Sequence, residues 1–221
     1  TDVESLSKPL LLWRSLTQWL GGLGIVLFFI AILPTLGFAG VQLFRAELTG
    51  PNKDRITPRV TETARKMWLI YLAMTLLLAL LLKELGGLTY FDATNHALAA
   101  LATGGFSTKN TGVAYFNNPT VDYLLSIFML LAATNFGLHF RFFRQLDWRV
   151  IFDTEFKWFL GIVFGTTLIM TACNFSQHNY PTLTESFRHS FFVLTSTITT
   201  TGFANADYTV WSPLCQFLIL L

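Results

Sequence analysis

Four long apolar stretches of this chain contain no aspartate, glutamate, lysine or arginine, and their length is the feature that most limits the possible folds. They cover residues 15–44, 67–82, 123–140 and 158–184. A helix needs roughly 20 apolar residues to cross the hydrocarbon core of a bilayer, with a range of about 17 to 25. The stretch 67–82 is slightly short, but a lysine follows it whose stem can lie along apolar surface. The sequence therefore predicts four membrane-spanning helices and the start of a fifth near Trp211.

The composition excludes an ordinary soluble domain. Charged residues make up 13% of the chain, hydrophobic residues 52%, and the mean hydropathy is +0.51, whereas a soluble domain carries roughly 25% charged residues. The net charge of +2 comes without a long basic run, so no nucleic-acid partner is predicted. Cys173 and Cys215 both have apolar neighbours in the sequence, which favours buried thiols over a disulfide framework or a metal cluster.

The basic residues between the predicted spans fix the orientation. Residues 45–66 hold six lysines or arginines and residues 141–157 hold four, whereas residues 83–122 hold two and residues 174–212 hold one. Loops rich in lysine and arginine lie on the cytoplasmic side of a membrane. We therefore expect the two basic segments to be cytoplasmic and the two poor ones to face outward.

Two short segments of threonine, glycine and phenylalanine interrupt the outward-facing regions. The first loop segment is Thr-Gly-Gly-Phe-Ser-Thr at residues 103–108, and the second loop segment is Thr-Thr-Gly-Phe-Ala-Asn at residues 200–205. Each has a threonine two residues before a glycine and a phenylalanine directly after that glycine. One such segment is typical of a turn between packed helices, but two in matching positions favour a shared function.

Each loop segment follows an apolar, helix-favouring stretch, at about residues 91–102 and 187–198, that is too short to cross a bilayer. Asp92 and Glu185 near the starts of these stretches suit the positive end of a helix dipole. A half-crossing helix followed by extended chain is a re-entrant loop. Non-helical backbone at membrane depth is tolerated only where protein buries it or where it lines a wet cavity.

The predicted fold is an all-α integral membrane protein built from repeated membrane–pore-loop–membrane units with re-entrant half-helices, as in a potassium channel. Residues 1–66 are assigned to the last span of a preceding unit and a cytoplasmic basic segment. Residues 67–145 form one unit with span, pore helix, filter and span. Residues 146–221 form the next, with its last span cut short. Because the chain starts at Thr1 and stops inside an apolar run, we expect an internal fragment.

The loop segments contain the groups that a dehydrated monovalent cation requires. Backbone carbonyls can replace its water shell, and glycine permits the left-handed torsions that keep successive carbonyls turned inward. The carboxyl ends of the half-helices point their negative dipole ends toward the same path. Thr103 and Thr200 each add a hydroxyl oxygen, and Phe106 and Phe203 can brace the two segments against the surrounding helices.

Several longer motifs carry a family resemblance. The motifs "TGGFST" and "TTTGFANAD", with "WRSLTQWLGGLGIVLFFIAILP", "QLFRAE" and "TPRVTETARKMWLIYL", resemble the Trk-type bacterial potassium uptake proteins of the wider Trk/Ktr/HKT superfamily. The resemblance implies four membrane–pore–membrane repeats in one multi-pass chain of the bacterial cytoplasmic membrane, of which this chain holds the second span of repeat one, repeat two and most of repeat three.

The same resemblance implies potassium as the transported ion, with no organic cofactor in this chain. It places the predicted ion-binding filter at Thr103, Gly104, Gly105, Phe106, Thr200, Thr201, Gly202 and Phe203, with potassium held by the backbone carbonyls of Thr103, Gly104, Thr200 and Thr201. It also implies a homodimer and a cytoplasmic nucleotide-binding Trk regulatory subunit, for which the basic segment 45–66 and residues 146–149 are the expected contact face.

The filters depart from the Thr-Val-Gly-Tyr-Gly of strict potassium channels. Ser107 and Ala204 replace the second glycine, so a sodium-permeable or a proton- or sodium-coupled transporter of the same superfamily stays an alternative. An enzyme is disfavoured, because the membrane stretches are almost free of ionisable residues and no catalytic motif is present. A purely structural membrane subunit would not explain two filter-like segments.

Five further residues have two interpretations each. His96 and His189, in the two half-helices, favour packing or hydrogen bonding at the outer mouth over a proton relay. His139 and Arg141 favour a position at the membrane interface over an inner gate. Asp207 either attracts cations at the outer mouth or is simply solvated.

Overall fold

The computed structural model describes residues 2–24, 60–134, 138 and 153–220. Within these ranges the chain is helical and contains no strand, which confirms the all-helical part of the predicted fold. A π-helical turn at Leu20–Gly24 follows α1, and two short 3-10 helices cover Gly112–Phe116 and Tyr208–Val210. The α-helices are α1 (Lys8–Trp19), α2 (Val60–Glu84), α3 (Tyr90–Leu101), α4 (Pro119–Ala133), α5 (Thr154–Ser176), α6 (Leu183–Ile198) and α7 (Pro213–Leu220).

The two short helices that precede the loop segments begin in the same way. The Thr89 hydroxyl accepts a hydrogen bond from the backbone N–H of Asp92, and the Thr182 hydroxyl accepts one from the N–H of Glu185. Each acidic residue lies in the first turn, where it faces the positive end of the helix dipole. The short length of α3 and α6 and the acidic residues at their starts therefore agree with the sequence-based expectation.

Two helices among the described residues are long and apolar enough to cross a membrane, namely Lys66–Glu84 within α2 and Thr154–Ser176. They correspond to the predicted spans at residues 67–82 and 158–184. The span predicted at residues 158–184 begins and ends too far along the chain. Asp153 caps the helix at its start, and the helix ends at Ser176. Charge-free stretches mark a span but not its ends.

The span predicted at residues 123–140 is wrong in its limits. Helix α4 starts earlier, because Asn118 accepts a hydrogen bond from the N–H of Thr120 and Pro119 takes the first helical position. It ends at Ala133, where Thr134 adopts an extended backbone and its hydroxyl bonds back to the Leu130 carbonyl. At 15 residues the helix is shorter than roughly 20 residues, the length that crosses a bilayer.

Other predicted limits also shift toward the N-terminus. Helix α1 starts at Lys8 rather than at residue 15, and α6 starts at Leu183 rather than at residue 187. Both starts contain charged side chains, which a search for charge-free stretches excludes. The rest of the first predicted span, most of both basic segments, His139 and Arg141 lie outside the described residues.

The two helices that precede the loop segments, α3 and α6, pack among other helices, whereas the long helices α2 and α5 each have exposed apolar side chains. Helix α3 packs against α1, α2 and α4, and α6 packs against α4, α5 and α7. Ala97, Ala99 and Ala100 of α3 are fully buried, which lets neighbouring helices approach closely. By contrast, Leu76 of α2 and Ile162 of α5 are 62% and 54% exposed. The residues directly before the two loop segments, Ala102 and Thr199, are buried.

Candidate functional site

Both loop segments leave their helices through the same backbone motif. In the first, the N–H of Thr103 bonds to the Ala100 carbonyl at 3.1 Å and the N–H of Gly104 to the Ala99 carbonyl at 2.8 Å. In the second, Thr200 bonds to Thr197 at 2.9 Å and Thr201 to Ser196 at 2.8 Å. This is a Schellman motif, which usually has glycine at its left-handed position.

Threonine occupies that left-handed position in both segments. Thr103 has φ of 48° and Thr200 has φ of 56°, and the glycines two residues later, Gly105 and Gly202, have φ of 63° and 86°. A β-branched residue at positive φ is a genuine outlier. Strained backbone of this kind costs roughly 1–3 kcal/mol and clusters at functional sites. The sequence analysis anticipated left-handed glycines but missed the left-handed threonines, for which no sequence signal exists.

The backbones of the two loop segments meet at Gly105. A β-carbon added to Gly105 would collide with the carbonyl oxygen of Thr201 and would lie 2.9 Å from the carbonyl carbon of Gly202. Gly105 is therefore required by close approach as well as by its φ value. At Gly202 the space around such a β-carbon is open, so there only the φ value favours glycine.

Further contacts connect the two segments beyond this meeting point. The carbonyl of Ala204 accepts hydrogen bonds from the N–H groups of Val113 and Ala114, at 3.0 and 3.3 Å. The Phe203 ring stacks on His96 of α3, with the ring centroids 5.7 Å apart. The first loop segment and the chain that follows it thus contact the second loop segment at several points.

Helix α3 holds the first loop segment through the side chains of His96 and Asp92. His96 is fully buried; its Nδ1 is 2.8 Å from the Asp92 carbonyl and its Nε2 is 3.0 Å from the Ser107 hydroxyl. Since a carbonyl only accepts, Nδ1 carries the proton and Nε2 of the neutral ring accepts from Ser107. The Thr108 hydroxyl donates to Asp92 Oδ1 at 2.6 Å. These bonds agree with the packing interpretation of His96.

Helix α1 covers the other side of the first loop segment. Arg14 lies over the Phe106 ring, with its guanidinium carbon 4.4 Å from the ring centroid, and its Nη2 is 3.4 Å from the Ser107 carbonyl. The Gln18 side chain lies so close to Gly104 that a β-carbon there would collide with it. The first loop segment is therefore enclosed between α1 and α3.

The second loop segment has different anchors. Asn205 donates from Nδ2 to Asp122 Oδ2 of α4 at 2.9 Å, and Arg188 Nε of α6 lies 3.5 Å from the same oxygen. His189 is hydrogen-bonded to Arg188 at 2.9 Å and stacks on Tyr180, which again agrees with packing. The sequence analysis missed Asp122, because nothing in the sequence connects it with Asn205.

The available ligands at these segments are oxygen atoms. Across the described ranges, no group of three histidine, cysteine, aspartate or glutamate side chains could hold a metal ion. The Thr103 and Thr200 hydroxyls make no hydrogen bond within the same ranges. Beyond the second segment, hydrogen bonds from Thr209 lower the pKa of Asp207, so this exposed carboxyl group is ionised at neutral pH. The region offers carbonyls and hydroxyls, with the carboxyl groups of Asp92 and Asp122 bonded to the segments and that of Asp207 following the second one.

Comparison with known proteins connects this geometry to one family. The model of a cation transport protein family, TrkH, matches residues 1–221. The Trk system potassium uptake protein TrkH of Escherichia coli K12 is 38% identical over 220 residues, which are 99% of this chain and 45% of that protein. Its counterpart in Halomonas elongata is 37% identical over 223 residues, with 100% of this chain and 46% of that protein covered.

A solved structure agrees with the sequence comparison. The crystal structure of the potassium transporter TrkH from Vibrio parahaemolyticus superimposes with a TM-score of 0.82 at 32% identity, covering 100% of this chain and 44% of that one. The chain therefore spans about half the length of the relatives it matches.

Proposed function

The chain belongs to the cation transport protein family TrkH, and on that basis we propose that its two loop segments form part of the wall of a potassium pore. Backbone carbonyls of Thr103, Gly104, Thr200 and Thr201 replace the water shell of the passing ion. The Thr103 and Thr200 hydroxyls, free of other bonds within the described ranges, add further oxygen ligands.

One observation carries this proposal. Two segments far apart in sequence leave their helices with the same left-handed threonine and glycine, and their backbones meet where Gly105 faces the Thr201 carbonyl. A simple turn would not need a strained threonine in both copies. Two strained threonines beside one close backbone contact therefore support a shared ion path.

The repeat assignment follows from the same pairing. We assign α2, α3, the first loop segment and α4 to one unit at residues 67–145, and α5, α6, the second loop segment and α7 to the next at residues 146–221. Helix α1 belongs to the last span of a preceding unit within residues 1–66. Since this chain covers 45% of its E. coli relative, a complete pore has room for four such units around one axis.

The assembly is proposed from the family. The chain crosses the bacterial cytoplasmic membrane several times, with the basic segments 45–66 and 141–157 on the cytoplasmic side. The full protein forms a homodimer and binds a cytoplasmic nucleotide-binding regulatory subunit through segment 45–66 and residues 146–149. It is a transporter rather than an enzyme.

A sodium-permeable or ion-coupled transporter is the second candidate function. It is favoured by Ser107 and Ala204, which stand where strict potassium channels have a second filter glycine. A side chain at that position restricts the left-handed backbone torsions that glycine allows. Flux measurements with both ions separate this candidate from the first.

Ion flux into liposomes that contain the full-length protein tests the proposal. We expect the wild type to take up potassium in preference to sodium, and we expect Gly202→Ser to lose potassium flux or its preference, because φ of 86° strains a residue with a β-carbon. Gly161→Ser is the matched control: it lies in α5 with open space around its β-carbon. Unchanged flux and preference in Gly202→Ser would reduce the second loop segment to a turn.

A further inference from the structure

A buried group of charged and polar side chains lies behind the second loop segment. Asp122 is 4% exposed and Asn205 is 5% exposed. One oxygen of the Asp122 carboxyl group accepts a hydrogen bond from the amide of Asn205 and forms an ion pair with Arg188, whose Nε lies 3.5 Å away without a hydrogen bond. The three residues belong to α4, the second loop segment and α6, so three separate parts of the chain meet at one oxygen atom.

His189 is hydrogen-bonded to Arg188 and so belongs to the same group of side chains. Arginine only donates, so the hydrogen bond from Arg188 makes His189 Nε2 the acceptor and leaves the proton of the neutral ring on Nδ1. That Nδ1 and the Asn205 Oδ1 are both buried and have no hydrogen-bond partner among the described residues. One is a donor and the other an acceptor.

Helix capping does not account for Asp122. Asn118 already caps α4 through the N–H of Thr120, and an acidic residue that served the helix dipole alone would need no burial. A buried carboxylate is retained only where it is paired and hydrogen-bonded. Its partners here are the loop segment itself and the helix that leads into that segment.

The first loop segment has a comparable tie to a preceding helix. Arg14 of α1 reaches the Ser107 carbonyl and the Phe106 ring. In both cases a charged side chain on the last helix of the preceding unit contacts the segment of the next. The charge is positive in one case and negative in the other, so the arrangement is shared while the chemistry differs.

We propose that Asp122, Arg188 and Asn205 form a clamp between neighbouring units, and that Asp122 is a positioning residue that sets the register of the second loop segment for ion selection. The inference rests on the proposed function of that segment. The clamp does not touch the ion. It fixes Asn205, and with it the carbonyls of Thr200 and Thr201 a few residues earlier.

Asp122→Asn in the full-length protein tests the clamp. The substitution keeps the side-chain shape but removes the charge that Arg188 faces. We expect the ratio of potassium to sodium uptake in liposomes to fall by about fivefold, because the uncharged amide loses the ion pair with Arg188 and accepts a weaker hydrogen bond from Asn205 than a carboxylate does. Asp153→Asn is the matched control, because Asp153 only caps α5 and asparagine caps a helix equally well.

Asn205→Ala is the second variant, because removing one partner of a buried ion pair can prevent folding. It leaves the pair of Asp122 and Arg188 intact and removes only the link to the segment. A fallen uptake ratio in this variant, with a thermal midpoint close to that of the wild type, supports positioning. An unchanged ratio with a lowered midpoint means that the group only stabilises the fold, and overturns the clamp.

The two proposals fail in different ways. A wild-type protein that takes up no potassium overturns the pore function, and the clamp with it. A wild-type protein with selective uptake, together with an unchanged ratio in every folded variant of Asp122 and Asn205, overturns the clamp alone.

Discussion

The two loop segments share a backbone but differ in what holds them. Each starts with a left-handed threonine that ends a short helix, and each places glycine at positive φ two residues later. The first is bonded to its own half-helix through Asp92 and His96. The second is bonded to α4 through Asn205. The backbone pattern is therefore the feature that both copies require, whereas each copy reaches it with its own side chains.

The glycines differ as well, and this difference predicts the largest effect. Gly105→Ala places a β-carbon against the Thr201 carbonyl, so we expect potassium uptake to fall by at least about a hundredfold, equivalent to ~3 kcal/mol. Gly202→Ala meets open space and suffers only from its φ value, so a loss of about tenfold is expected. Uptake rates in liposomes give both numbers. Equal losses would show that the close approach at Gly105 does not affect potassium uptake.

His96→Leu separates the anchors of the two segments. The substitution removes the bonds to the Asp92 carbonyl and to Ser107, which lowers the free energy of unfolding by ~2 kcal/mol at ~1 kcal/mol for each bond. Thermal unfolding in detergent provides the measurement. His178→Asn, at an exposed position whose φ of 58° asparagine also tolerates, is the control and should stay within ~0.5 kcal/mol of the wild type. A His96 variant as stable as the control would contradict the anchoring role.

Thr200→Gly tests whether the strain in the segments serves function. Glycine relieves a left-handed conformation that costs an L-residue roughly 1–2 kcal/mol, so we expect no loss of thermal stability. Removal of the hydroxyl and of the fixed backbone should lower the potassium preference by about fivefold. The ratio of potassium to sodium uptake, read beside the thermal midpoint, decides. A less stable variant with full preference would mean that the threonine serves folding alone.

We expect Asp207→Asn to have the smallest effect. It tests the difference between the residues that follow the two loop segments. The first segment is followed by Lys109 and Asn110 and the second by Ala206 and Asp207. Since the pKa of Asp207 is lowered by its hydrogen bonds with Thr209, its charge is present at neutral pH and is lost only as the pH falls through that lowered value. We expect a loss of potassium uptake rate below about twofold at low ionic strength and none at high salt, where the charge is screened. A loss that persists at high salt would contradict steering by charge.

The parts of the fold that local chemistry decides could be predicted from the sequence. Acidic residues mark the starts of α3 and α6, and glycine marks the positions that need positive φ. The end of α4 could not be predicted, because hydropathy continues past Ala133 while the backbone at Thr134 turns extended. The sequence therefore predicted the end of this helix at residue 140, later than its actual end at Ala133.

Two features of the candidate site depended on packing and were not predictable. The left-handed Thr103 and Thr200 run against the intrinsic preference of a β-branched residue, so only the surrounding structure can impose them. The pairing of Asp122 with Arg188 and Asn205 joins residues that are far apart in the sequence and appear separately as ordinary polar residues. Sequence motifs located the segments, but they did not show how the segments are held.

Anomalous scattering from crystals of the full-length protein grown with thallium(I), which replaces potassium, tests the central claim most directly. The account predicts a peak bordered by the carbonyl oxygens of residues 103–104 and 200–201. A thallium site elsewhere, with no peak beside either loop segment, would contradict the claim that these two segments form the ion path.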